Sequence, residues 1–283
     1  MLSLALAIVL ELRSATLDLT TAAQGSPRPR ECRGAGATED GLWSRLRDSD
    51  AQRYCELLAR GYARLRSSPK DAWLAAQAAE ALAGPRPAVR VLSGRALLRL
   101  EQSGTAFELF QLAEAEDAQA FAEPQALHDY ARAASFAGKL EPARRAYRLL
   151  VSRVALLDDP RERALCLIEA AAHVLDSGAS ADEALGYLAQ ARQQAFGLSA
   201  WIAGIRALAI QRSNRAEPRG AGFSLPSASA LGAAPARRFN DELPLLPVGM
   251  FEAMRAVLGG TPTAAAAAKT AAPKGKARKD DAR

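Results

Sequence analysis

The feature that most constrains the fold is a train of amphipathic helical segments between residues 50 and 212. In these segments apolar residues recur at the three- and four-residue spacing of one helix face. Short stretches rich in Gly, Pro, Ser or Asp separate them, at residues 67–71, 84–87, 103–104, 123–124, 137–138, 158–160 and 176–178. Pro in a first helical turn and Gly just past a helix end are the expected punctuation. The pattern predicts about nine or ten helices.

Composition supports an all-α fold. Hydrophobic residues make up 49% of the 283-residue chain, but aromatic residues make up only 6%. Ala and Leu dominate the apolar fraction, and both are strong helix formers, whereas the β-branched residues that favour strands are sparse.

The spacing of the breaks suggests a repeat. Gly104 and Gly138 are 34 residues apart, the length of a tetratricopeptide repeat, and Gly178 follows 40 residues after Gly138. The residues around these glycines fit the small and apolar positions of a helix pair. They are Leu127, Tyr130, Ala131, Ala134, Ala143 and Tyr147 in one unit, and Leu167, Ala170, Ala171, Val174, Ala184 and either Tyr187 or Leu188 in the next.

Residues 50–212 therefore resemble a degenerate tetratricopeptide-repeat array. The family's tryptophan, its second-helix phenylalanine and its closing proline are mostly replaced or displaced. The resemblance implies a right-handed α-α superhelix, a solenoid of antiparallel helix hairpins. It also implies a groove, lined by the first helix of each hairpin, that holds an extended peptide or a partner helix. In the clearest repeat the groove-facing candidates are His128, Arg132 and Ser135, and the alternative for each is an ordinary solvated residue.

The sequence changes character after residue 212. Gly, Pro, Ser and Ala dominate residues 213–247, which predicts a flexible linker. The apolar spacing within residues 248–259 predicts one short helix. Residues 260–283 are rich in Ala and cannot form a core, so we expect a disordered tail. This tail carries the basic residues Lys269, Lys274, Lys276, Arg278 and Lys279, and it contributes four of the net six positive charges.

The N-terminal residues 1–23 resemble a secretory signal peptide. Leu2 to Leu10 form an apolar run, and Thr21 to Ala23 provide small residues for cleavage, although no Lys or Arg precedes the run. We therefore expect export to the periplasm or cell envelope, the alternative being a cytoplasmic protein. Residues 24–49, which include Trp43, are expected to cap the array. No run is long enough to predict a membrane span.

Three cysteines bear on the same question. Cys32 and Cys55 are 23 residues apart, and a disulfide between them would tie the irregular N-terminal segment to the first helix. The alternative is two unrelated thiols in a reducing compartment. Cys166 lies in an apolar run, where a buried thiol is expected.

Residue patterns that carry catalysis or bind cofactors are absent from the sequence. The chain has two histidines, His128 and His173, and neither has a second ligand at metal-binding spacing. No glycine-rich phosphate loop or nucleophile elbow is complete. We therefore expect neither an enzyme, a cofactor nor a metal site.

These features predict a protein–protein interaction scaffold whose partner is an unknown protein or peptide. The alternative function is association with a polyanion through the basic tail. Nucleic acid is an unfavoured partner for an exported chain, and an anionic envelope polymer is the better candidate.

Overall fold

The computed structural model describes residues 30–32, 49–194, 197–213, 231 and 239–258. Within these ranges the fold is all-α and has no β-strand. Ten α-helices are present: α1 Ser49–Arg64, α2 Pro69–Ala83, α3 Pro87–Arg99, α4 Ser103–Glu116, α5 Pro124–Phe136, α6 Leu140–Val151, α7 Pro160–Asp176, α8 Ala181–Arg192, α9 Ser199–Arg212 and α10 Met250–Val257. Short 3-10 turns lie at Arg30–Cys32 and Val154–Leu156.

Local sequence signals explain where these helices begin and end. Helices α2, α3, α5 and α7 each have proline as the first residue, where a missing N–H costs nothing. Asp159 precedes α7, and its side chain accepts a hydrogen bond from the Arg161 main-chain N at 2.9 Å. Gly138 and Gly178 follow α5 and α7 with φ of 71° and 69°, a conformation that favours glycine.

Consecutive helices pack against each other as a helical solenoid. The closest pairs are α1 with α2, α3 with α4, α5 with α6, and α7 with α8. The first helices of these pairs form an inner layer, in which α3 also contacts α1 and α5, and α7 contacts α9. Inner helices are buried on most sides: every residue of α5 from Ala126 to Ser135 is buried, and so is every residue of α7 from Ala164 to Leu175.

Small side chains at the helix crossings let the layers approach closely. Ala131 and Ala143, the predicted contact between α5 and α6, are fully buried. The ring of Tyr147 fills the adjacent space and is 1% exposed. Towards α4, a cluster of aromatic rings continues the core and contains Phe107, Phe110, Phe121 and Tyr130.

One predicted turn lies elsewhere. Gly104 is the second residue of α4 and not a turn residue. The left-handed position between α3 and α4 is held by Glu101, with φ of 64°. A non-glycine residue there costs roughly 1–2 kcal/mol, which is why the sequence pattern favoured the nearby glycine. The left-handed residues of these two turns, Glu101 and Gly138, are therefore farther apart in sequence than the predicted 34 residues.

The predicted disulfide between Cys32 and Cys55 is present. It joins the 3-10 turn to α1, with a Cα–Cα distance of 5.6 Å. Beside it, the Tyr54 hydroxyl donates a hydrogen bond to Glu31 Oε1 at 2.8 Å. The predicted signal peptide and most of the predicted cap lie outside the described residues.

The C-terminal part of the predicted linker differs from the expectation. Residues 239–247 lie against the inner helices, held by side-chain and main-chain hydrogen bonds, and so are not a free tether. Helix α10 follows within the predicted segment 248–259. It packs on α9, where Met254 approaches Gly204 and the Phe251 ring lies 5.7 Å from Trp201. The predicted tail, residues 260–283, falls outside the description. In the described part of the chain no helix combines the length and apolar character that crossing a membrane requires.

Candidate functional site

The inner helices α3, α5 and α7 carry charged and polar side chains into the core. Seven buried side chains form this polar network, namely Arg95, His128, Asp129, Arg132, Ser135, Glu169 and His173. Ser93 is also buried, but its hydroxyl has no hydrogen-bond partner in the described part of the chain. Burying an isolated charge is very costly, so buried charges are paired or hydrogen-bonded. The network pairs a cation on one inner helix with a carboxylate on the next.

Asp129 links α5 to α3. Its Oδ2 atom lies 2.7 Å from Arg95 Nε and 3.0 Å from Arg99 Nη1. Burial alone would raise the pKa of Asp129, but the two guanidinium groups outweigh burial and hold this pKa well below its ordinary range. Asp129 is therefore ionised at neutral pH. Arg95 also lies 3.4 Å from Glu123 at the start of α5.

Glu169 links α7 to α5 and is fully buried. Its Oε1 atom accepts from Arg132 Nη2 at 2.7 Å. Its Oε2 atom accepts from His128 Nε2 at 2.8 Å and from the Tyr147 hydroxyl at 2.9 Å. Burial would raise the pKa of Glu169, yet Arg132 and His128 lower it well below the usual value. The fixed carboxylate is the centre of the network.

Ser135 completes the link between α5 and α7 through His173. His173 Nδ1 lies 2.8 Å from the Glu169 carbonyl oxygen, and Nε2 lies 2.9 Å from Ser135 Oγ. Burial lowers the pKa of His173, so the ring is neutral at pH 7. A carbonyl can only accept, so Nδ1 carries the proton and Nε2 accepts from the serine hydroxyl.

The three predicted groove residues thus share one helix and point towards α7. His128, Arg132 and Ser135 are 4%, 2% and 3% exposed, and each contacts a residue of the polar network. Of the three, Arg132 also bonds residues 239–247. Their role in partner binding stays a prediction.

Residues 239–247, which we call the groove segment, cross the inner face of α3, α5 and α7. Arg132 Nη2 donates to the Leu243 carbonyl at 3.0 Å, and the Leu245 main-chain N donates to Glu169 Oε1 at 2.8 Å. Arg161 Nη2 donates to the Glu242 carbonyl at 3.1 Å. Side chains of the inner helices therefore bind main-chain groups of a segment that bends at residues 241–243 and is neither helix nor strand.

Two side chains of the groove segment also make charged contacts. Asp241 Oδ1 lies 3.1 Å from Arg99 Nη2 and 3.8 Å from Arg132 Nη1. The guanidinium carbons of the same two arginines lie 5.0 and 5.3 Å from the centre of the Phe239 ring. These are cation–π distances.

A cavity of about 420 Å³ opens beside the groove segment. Its walls include Asp241 and Glu242 from the segment and Arg132 and Glu162 from the inner helices. Arg66, in the turn after α1, bridges towards Glu162 at 3.6 Å. The walls carry both signs of charge, which suits a polar peptide better than an apolar ligand.

The described residues offer no metal site, since no group of three or more His, Cys, Asp or Glu side chains is placed to hold an ion. Burial raises the pKa of the Cys166 thiol well above its ordinary value, so this cysteine is not a thiolate nucleophile. Comparison with models of known families, with curated proteins and with solved structures finds no match. The geometry of the groove is therefore the main indication of function.

Sequence reasoning missed the acidic half of the network and the groove segment. The available signal was a charge inside an apolar run: Glu169 stands in the middle of the stretch from Ala164 to Leu175. A charge in such a place is rarely tolerated without a partner. Asp129 gives the same signal between Leu127 and Tyr130.

Proposed function

We propose that this protein is a protein–protein interaction scaffold that binds an extended protein segment in the groove formed by α3, α5 and α7. The observation that carries the proposal is that the groove segment of the chain itself lies there. It is held by main-chain and side-chain hydrogen bonds of the kind that a bound peptide makes.

The inner helices suit this role because their polar groups are rigid before any ligand arrives. Arg132 is held by both oxygens of Glu169, and Arg99 is held by Asp129. A guanidinium fixed in this way loses little freedom when it binds a ligand, and preorganisation of this kind favours affinity. Arg also offers several donors in a fixed plane, so it can bind a second acceptor while it keeps the first.

We further propose that the protein works outside the cytoplasm. The disulfide between Cys32 and Cys55 supports this location, because such bonds persist in oxidising compartments. The test is expression in a Gram-negative host, followed by sequencing of the mature N-terminus and a count of free thiols under denaturing conditions. Export predicts a start near Gln24 and one free thiol, Cys166. A retained Met1 with three free thiols contradicts it.

Site-specific photo-cross-linking in the producing cells tests the scaffold proposal. A photoreactive amino acid replaces Arg66, whose side chain is 67% exposed at the cavity wall. A matched chain carries the same group at Leu149, which is 43% exposed on the outer helix α6. We expect a discrete cross-linked protein from the first position only. Equal cross-linking from both positions, or none from either, contradicts a groove that binds a partner.

The second candidate function is association of the basic tail with a polyanion, supported by the six Lys or Arg against two Asp in residues 264–283. Binding through the tail depends steeply on salt, because it releases counterions. Deleting residues 264–283 is expected to abolish this binding and to leave the groove cross-link unchanged. Salt-independent binding that survives the deletion contradicts the tail hypothesis.

A further inference from the structure

The groove segment presents a specific chemistry to the inner helices. Phe239 contributes an aromatic face to Arg99 and Arg132, and Asp241 contributes a carboxylate to the same pair. The aromatic residue and the acid are separated by one residue, Asn240, which is exposed. Both recognition groups thus meet one pair of arginines on two neighbouring inner helices.

Asp241 in the groove segment gives Arg99 a second carboxylate besides Asp129, while the buried Nε atom of Arg99 has no hydrogen-bond partner among the described residues. Arg99 shares Asp129 with Arg95, and its Nη2 atom is closer to Asp241, at 3.1 Å, than to Asp129 Oδ1, at 3.4 Å. The side chain of Arg99 is only 7% exposed, so water has little access to it when the Asp241 carboxylate is absent. A ligand without an acid at this position leaves a buried guanidinium group poorly satisfied.

Prolines make the remaining part of the segment suitable for an extended binding mode. Pro244 and Pro247 are buried and have no N–H group that would need a partner. The intervening Leu245 N–H is satisfied by Glu169. Proline also restricts the free chain to extended conformations, which reduces the entropy lost on binding.

We infer that the groove recognises an extended protein segment in which an aromatic residue stands two positions before a carboxylate, and that residues 239–247 occupy the groove until such a partner displaces them. This inference depends on the proposed scaffold function and names the chemistry of its partner.

The contacts of the groove segment suit displacement. Asn240, Asp241 and Glu242 are exposed, and the Asp241 side chain keeps 40% of its surface open to solvent. By contrast, α10 is anchored on α9 through the buried Met250 and Met254. The anchor therefore keeps the segment close to the groove when the segment lifts away.

The test measures binding of a fluorescein-labelled synthetic peptide with the sequence of residues 239–247 to the full chain. A tethered segment has an effective concentration on the order of millimolar, so it excludes a free peptide at micromolar concentration. In a Phe239→Ala/Asp241→Ala chain the segment no longer competes, and we expect the peptide to bind at least about tenfold tighter than it binds the unaltered chain. Glu252→Ala, which removes an exposed charge on α10 outside the groove segment, is the matched control and leaves binding at the unaltered level.

A second peptide, with asparagine in place of the aspartate, tests the carboxylate without altering the protein. We expect it to bind the Phe239→Ala/Asp241→Ala chain at least about tenfold more weakly than the original peptide, as a lost charge-assisted contact implies. Equal binding of the two peptides, or equal peptide binding by the unaltered and double-variant chains, overturns the inference. These outcomes are independent of the photo-cross-linking test. A partner that cross-links in the groove while the peptides fail this test preserves the scaffold and refutes its ligand chemistry.

Discussion

Replacing Glu169 by glutamine isolates the energetic role of the buried network. The side chain keeps its shape, so no cavity forms, but the negative charge is lost. Its two oxygens accept from Arg132, His128 and Tyr147, and Oε1 also accepts from the Leu245 main chain. The amide has one acceptor oxygen, and its NH2 group faces donors that have no acceptor left.

The expected loss follows from the burial of Arg132. This arginine is 2% exposed, and its other carboxylate neighbour, Asp241, lies 3.8 Å away with 40% of its side chain in contact with solvent. Removing one partner of a buried ion pair costs about 3–5 kcal/mol, because the other charge stays buried without compensation. For a chain of this size, 1 kcal/mol lowers Tm by about 2–4 °C, so we expect a fall of about 6–20 °C.

Thermal and urea unfolding followed by circular dichroism measure this loss. Glu183→Gln is the matched control, because Glu183 accepts from Tyr187 at 2.7 Å but keeps 31% of its side chain exposed. We expect the control to lose less than about 1 kcal/mol. If both variants lose the same free energy of unfolding, the network does not stabilise the array, and the reasoning from burial fails.

Four further variants or conditions have definite expected outcomes. Gly94→Ala places a Cβ 2.7 Å from the buried Phe110 ring and is expected to destabilise the chain by about 1–3 kcal/mol, whereas Gly186→Ala, in open space, stabilises it by about 0.5–1 kcal/mol. Urea unfolding would contradict this if both changes had the same sign. Cys32→Ser is expected to cost about 3 kcal/mol, and a variant as stable as the oxidised parent would count against the chain-entropy argument. Because the pKa of Asp129 is lowered in the folded state, its contribution is present above its unfolded pKa of about 3.9 and is lost as the pH falls further. A urea midpoint that rises as the pH is lowered from about 5 to about 3 would contradict this expectation.

The helices could be predicted from the sequence because their signals are local. The residues that start and end each helix lie in the helix or next to it: Pro124 is the first residue of α5, and Gly138 follows its end. The Gly104 turn failed because the chain turns three residues earlier, at Glu101, which takes the left-handed conformation although it is not a glycine. No local pattern distinguishes Glu101 from its neighbours.

The site could not be predicted in the same way because its contacts join distant residues. Arg132 and Glu169 are 37 residues apart, Leu245 and Glu169 are 76 apart, and Arg99 and Asp241 are 142 apart. Composition predicts a flexible linker over residues 213–247, most of which lie outside the described residues. Residues 239–247 instead contact the inner helices through main-chain groups, the Phe239 ring and the Asp241 carboxylate, and composition does not register such contacts.

The stabilities of the groove segment and of the helical array are linked, because the same two side chains of the array bond to both. Glu169 Oε1 accepts from Arg132 within the array and from Leu245 in the segment, and Arg99 binds both Asp129 and Asp241. Contacts that exist only while the segment is in place stabilise the folded array, and linkage requires that an equivalent ligand bound there does the same. An array with an empty groove is therefore less stable than one filled from either source. The groove segment supplies Arg99 and Arg132 with acceptors in the absence of any ligand, so under the proposed scaffold function the groove needs no permanent partner.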